Sequence, residues 1–198
     1  MDIADCRDIH SLQAIVYMIL FLQSSAKLAT CYAYLGCALR AALRMGMHRN
    51  FDHFNPIEAE CRKRTFWVIR KMDIYVGALL GLPHTISDDD IDQSFPAEVD
   101  DEYITLEGIK PMPEGSVTVI GAANAHTRIV QILDKVVRLV YPIKPANVAQ
   151  DNKGTEAVPV YRISYNKIQE IERELHEWSE SLPMGLRPGG EAPRIIVR

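Results

Sequence analysis

Along this chain apolar residues return every three or four positions over long stretches, the period of a helix with one buried side. From Leu12 to Gln23 they occupy nearly every face, which predicts a central helix covered by neighbours on several sides. A second helix is expected from Ala26 to Met45, where Leu28, Tyr32, Leu35, Leu39 and Ala42 share one side. The adjacent line Ala29, Ala33, Gly36, Arg40 is mostly small and would admit a close neighbour. Gly46, just past the last periodic residue, suits a left-handed C-terminal cap.

The third helix has the clearest start. Asn55 can cap, Pro56 fits the first helical position, and Glu58 stands where the acidic half of a capping box belongs. It should run from Pro56 to Leu80, where Gly81 and Pro83 stop it. Four prolines, Pro83, Pro96, Pro111 and Pro113, then exclude regular helix over most of the stretch from Gly81 to Gly115. A fourth helix is expected from Ser116 to Tyr141, with Ile129, Ile132, Val136, Leu139 and Val140 on its apolar side, and residues 142–160 read as a mobile connection. A fifth, from Tyr161 to Ser181, carries Ile168, Ile171, Leu175, Trp178 and Leu182 at three- and four-residue spacing, as a helix lying flat on a core would. No strand alternation competes. The fold class is therefore all-α, a bundle of about five helices with one long irregular surface loop.

Length and composition narrow the function. At 198 residues, 47% hydrophobic and 24% charged, the chain suits one globular domain. Its net charge of -4 and pI near 5.9 argue against a surface built as a whole to cover phosphates. No apolar run approaches the roughly 20 residues of a membrane helix. Cys6, Cys31, Cys37 and Cys61 form no C-x-x-C pair and read as reduced, mostly buried thiols of an intracellular soluble protein without membrane contact.

The chain from Cys61 to Pro96 concentrates the candidate chemistry. Asp88, Asp89 and Asp92 match the D-D-x-x-D pattern with which all-α prenyl-transfer enzymes hold Mg²⁺ against a diphosphate. The distal metal motif of such enzymes is absent, and acids at a helix start also serve simply to offset its dipole. His48 and His53 do not pair with Cys37 or Cys61 at zinc-site spacing, and no nucleophile elbow or phosphate loop occurs. Arg62, Lys63, Arg64, Arg70 and Lys71 read as a solvated helix face that pairs with Glu58 and Glu60. Asp73 shares the apolar side of Phe66, Ile69 and Val76, where a carboxylate needs a partner. Arg44 or Arg49 is the expected cation, in a structural ion pair between helices. The sequence offers no catalytic, cofactor-binding or metal-ligating residue on firmer ground than these.

Taken in order, "YLGCALRAALRMGMHRN", "EAECRKRTFWVIRKMD" and "GLPHTISDDDIDQSFP" resemble the fungal-specific transcription factor domain, the middle homology region of fungal zinc-cluster regulators. Met47, His48, Arg49, Glu60, Arg62, Arg64, Phe66, Trp67, Asp73, Gly81, Pro83, Asp90, Ile91, Asp92 and Pro96 fall at matching places. Leu82, Lys63 and Thr65 are mild departures. The resemblance covers Ser11 to Pro183, and it implies an incomplete regulatory domain over residues 1–183 with an irregular tail over 184–198. It implies structural roles for Arg49, Arg64, Phe66, Trp67, Asp73, Gly81, Pro83, Asp92 and Pro96. It further implies a nuclear, non-enzymatic protein that meets transcriptional co-regulators, with a homodimer or a small-molecule effector among the family's possibilities. The six-cysteine zinc cluster that reads DNA is not in this sequence, so zinc and DNA contact would belong to a missing N-terminal segment.

Overall fold

The computed structural model describes residues 6–113, 115–140, 165–187 and 189. The chain is all-α, with helices α1 (Ile9–Ser24), α2 (Leu28–Arg44), α3 (Pro56–Leu80), α4 (Val119–Val140) and α5 (Tyr165–Ser181). Each helix packs chiefly on the next in sequence. The third helix starts and stops at its expected residues for local reasons. Asn55 Oδ1 accepts a hydrogen bond from the Glu58 N–H at 3.0 Å, and Gly81 closes the other end in the left-handed conformation, φ 66°. A Cβ at Gly81 would meet nothing within 4 Å, so only backbone strain opposes Gly81→Ala. That strain is roughly 1–2 kcal/mol, and calorimetry should find the melting temperature lowered by about 2–8 °C. An unchanged melt would show that the cap carries no strain.

The main core joins Leu12, Ile15 and Ile19 of α1, Cys31, Leu35 and Leu39 of α2, Met47, and Phe66, Ile69 and Val76 of α3. Each of these larger aliphatic side chains stabilises the fold by roughly 1.5–3 kcal/mol on burial. Outside that cluster, α3 and α4 bury Ile74, Ala125, Val130 and Ile132.

Several expectations need correction. α1 is not a central helix: Tyr17 is 74% and Phe21 67% exposed, because α2 is its main neighbour and nothing among the described residues covers its remaining side. Ala29, Ala33 and Arg40 of α2 are likewise exposed, so no helix among the described residues uses that small line. Between Ser11 and Leu39 the only charged residue is Lys27, and the outer face of the α1–α2 pair is nearly uncharged. Cys6 and Cys31 are buried, but Cys37 and Cys61 are exposed, because apolar sequence neighbours do not fix which way a helix faces.

α4 begins at Val119 rather than Ser116. Ser116 instead closes a turn on the Pro113 carbonyl, and Thr118 Oγ1 takes the capping bond from the Gly121 N–H at 2.8 Å. α5 does not lie flat on the core. It packs chiefly on α4 and leaves Ile168 and Leu175 partly exposed. Trp178 Nε1–H bonds the Ala125 carbonyl at 2.8 Å, and Lys135 pairs with Glu174 at 2.6 Å. The long loop holds a small antiparallel hairpin, β1 (Ile104–Thr105) with β2 (Gly108–Ile109), too short to leave an alternating pattern. The expected connection over 142–160 lies outside the described residues, as does most of the tail over 184–198, whose described part includes one 3₁₀ turn at Met184–Leu186.

Candidate functional site

The residues singled out between Cys61 and Pro96 converge on one feature, a segment from Pro83 to Asp101 strapped back along α3. Polar groups on successive turns of α3 hold it. Asp73 accepts from the Thr85 N–H at 2.8 Å and from Thr85 Oγ1–H at 3.1 Å. Arg70 donates to Asp88 at 3.0 Å. Trp67 Nε1–H bonds the Ser94 carbonyl at 2.9 Å, and its ring stacks on Phe95 with centroids 4.2 Å apart. Glu60 Oε2 accepts from the Ala97 N–H at 3.1 Å, and Arg64 reaches Asp101 at 2.5 Å.

Two neighbours grip the same strap from outside. On the side of the α2–α3 connection, the His48 carbonyl accepts from the Asp92 and Gln93 N–H groups. Gln93 Nε2 then donates to the Met47 and Arg49 carbonyls. On the side of α4, Asn124 Nδ2 donates to the Pro96 carbonyl at 2.9 Å, and Asp134 pairs with His84 at 2.8 Å. Tyr32 of α2 adds a bond from its hydroxyl to the Pro83 carbonyl at 3.2 Å.

Asp73 is 1% exposed, as its place on the apolar side demands, but its cation is neither Arg44 nor Arg49. Arg44 donates to the Cys6 carbonyl, and Arg49 is exposed. The partner is Arg70, one turn back on the same helix, at 3.6 Å. Arg70 is fully buried, so the basic run is not a solvated face. Arg62 and Arg64 also turn inward, onto the Met45 carbonyl and onto the strap, because buried carbonyls and carboxylates wait there for donors. Glu60, read as a surface pair, is 2% exposed and draws Lys63 and Arg64 to within 4 Å.

The acidic run forms a single 3₁₀ turn, Asp88–Asp90, whose N-cap is Ser87. Asp88 is held by Arg70, while Asp89, Asp90 and Asp92 are exposed. Among the described residues no group of three or more His, Cys, Asp or Glu side chains is placed to hold a metal ion, and the D-D-x-x-D reading falls with that geometry. His48 and His53 sit in the α2–α3 connection. Burial pushes the His48 imidazole below its ordinary range, helped by Arg49 and opposed by Asp90. Burial also lowers Lys71 and Arg62. What this arrangement does chemically is position: it fixes α2, α3 and α4 in one register through groups that are matched to each other.

Of the residues named from sequence, Phe66 is in the core and Gly81 caps α3, while Trp67, Asp73 and Arg64 hold the strap and Pro83, Asp92 and Pro96 lie in it. Arg49 touches the strap only through its carbonyl. Thr85, Gln93 and Asn124 also tie the strap, and the sequence gives no sign of it. Each is a lone polar residue whose partner lies 12 to 46 positions away, and no local signal marks it.

A family model described as the fungal specific transcription factor domain matches residues 1–180. The chain is 42% identical over 196 residues to Activator of stress genes protein 1 of Candida albicans, covering 95% of this chain and 20% of that protein. It is 42% identical over 195 residues to Activator of stress genes 1 of Saccharomyces cerevisiae, with 96% and 19% covered. Transcriptional activator protein acu-15 of Neurospora crassa is 31% identical over 179 residues, with 89% and 18% covered. The chain thus spans about a fifth of the length of these relatives. No solved structure matches it.

Proposed function

The chain belongs to the fungal-specific transcription factor domain family, a regulatory domain of fungal transcription factors, and from that premise we propose that it modulates transcription through contacts rather than chemistry. In the whole protein, a zinc cluster outside this sequence reads DNA, and this domain restrains or releases activation by binding co-regulators, a small effector or another part of its own polypeptide. The site of action is the nucleus. The observation that supports this most is the strap itself. Each of its principal charged groups, Arg64, Arg70, Asp73 and Glu60, faces an opposite charge of the same domain within 4 Å, as a scaffold requires.

Fluorescence anisotropy of the 198-residue chain with labelled promoter DNA tests the reading. Binding should be weak and should vanish between about 50 and 200 mM salt, the behaviour of a non-specific phosphate contact. Tight, sequence-selective binding by this chain alone would refute it.

A further inference from the structure

At the corner where the α2–α3 connection meets the first turns of α3 lies a small depression of about 10 Å³, lined by Arg49, Phe51, Phe54, Arg62, Lys63 and Gln93 among others. Three of its lining residues are cations and none is acidic, in a chain of net charge -4. Lys63 is partly matched by Glu60 at 3.6 Å, but that carboxylate is shared with Arg64 and the Ala97 N–H. Arg62 lies over the Phe54 ring at 4.2 Å with its guanidinium bonded to the Met45 carbonyl, and Glu58 is its nearest acid influence. Arg49 has no side-chain hydrogen bond or ion pair among the described residues.

A second polar observation falls at the same place. Gln93 is 9% exposed, and its Nε2 is spent on two carbonyls, yet its buried Oε1 has no hydrogen-bond partner. Phe51, which lines the depression, is 40% exposed and forms an aromatic cluster with His53 and Phe54.

We infer that this corner docks a peptide segment bearing an acidic side chain beside an apolar one. The carboxylate enters between Arg49 and Arg62, where a charge-assisted bond forms beside a low-dielectric aromatic wall. A flanking apolar side chain covers Phe51, and a peptide N–H is the kind of donor Gln93 Oε1 lacks. At about 10 Å³ the depression has room for one small group, not for a row of phosphates, and the exposed acids Asp52 and Asp92 nearby in sequence disfavour a polyanion. This goes beyond the regulatory reading and does not depend on which partner that reading requires.

The test uses the 198-residue chain and a fluorescein-labelled peptide Gly-Ser-Phe-Asp-Gly-Ser, with its Asn-for-Asp counterpart, sodium acetate and a 20-base-pair DNA as comparison arms. The acidic peptide should bind saturably, and the Asn peptide about tenfold more weakly, a loss of about 1.4 kcal/mol. Arg49→Glu should weaken the acidic peptide by tenfold or more and leave the Asn peptide nearly unchanged. Arg49 is exposed, so the melting temperature of this variant should stay unchanged. Equal binding of the two peptides, no binding, or indifference to Arg49→Glu in a folded protein would overturn the inference. So would displacement of the peptide by acetate at millimolar concentration, which would make the corner a simple anion site, or by the DNA, which would make it a nucleic-acid contact.

Discussion

Asp73→Ala should lower the melting temperature by roughly 6–20 °C, because stranding a buried charge costs about 3–5 kcal/mol and each kcal/mol is worth about 2–4 °C in a domain of this size. The carboxylate is 1% exposed and carries three partners at once, the Thr85 N–H, the Thr85 hydroxyl and Arg70. Alanine leaves Arg70, itself fully buried, with only the half-exposed Asp88 as a counterion. The Nε and Nη1 groups of Arg70 already lack hydrogen-bond partners, so the guanidinium has no reserve. Asp73→Asn keeps an acceptor for Thr85 and should cost less than the alanine change. Calorimetric melts of the three proteins decide the point. An Asp73→Ala protein as stable as the parent would mean that the carboxylate contributes nothing to the hold on the strap.

Trp67→Ala should be comparably damaging, at about 3–5 kcal/mol, through a different mechanism. Trp67 is 6% exposed, stacks on Phe95 with an interplanar angle of 12°, meets Phe66 edge-on, and bonds Ser94. Removing the indole opens a cavity under the middle of the strap. Trp67→Phe keeps most of the ring and loses the hydrogen bond, so it should cost about 0.5–1.5 kcal/mol. Limited proteolysis separates the two outcomes. Cleavage between Ile91 and Glu98 should accelerate strongly in the alanine protein and modestly in the phenylalanine one. A strap equally resistant in both would show that the polar ties at its ends suffice without the stack.

These two residues also mark how far the sequence could be read. The ends of α3 were legible because Asn55, Pro56, Glu58 and Gly81 act within a few residues of themselves, and local chemistry leaves local signals. The burial of Asp73 followed from the company it keeps on the helix. Its partner Arg70 stands only one turn away, but a charged run next to glutamates looks like a solvent face, which leaves Arg44 and Arg49 as the visible candidates. That Arg70 turns inward depends on Asp88, which the chain brings back from 18 residues further on. The aspect of α1 failed for the opposite reason. Apolar residues all round a helix state that it prefers cover, and they do not state that the same chain supplies it. The strap as a whole was invisible because its bonds run mostly from side chains to main-chain groups, which have no sequence identity.

The order of those bonds bears on how the domain assembles. As the strap advances from Thr85 through Asp88 and Ser94 to Ala97, its partners on α3 retreat from Asp73 through Arg70 and Trp67 to Glu60. The contacts span 12, 18, 27 and 37 residues in turn, so each lies just beyond the last, as the teeth of a zip do. Closing the widest of them in a single step would be a search over a long floppy ring. Closing them in sequence makes every step a small ring, and chain entropy is spent in small instalments. The turn at Gly81 is then the natural starting point, since it already sends the chain back along the helix it has just left. Substitutions near it should act mainly on the rate of folding, and those at the Ala97 end on the rate of opening.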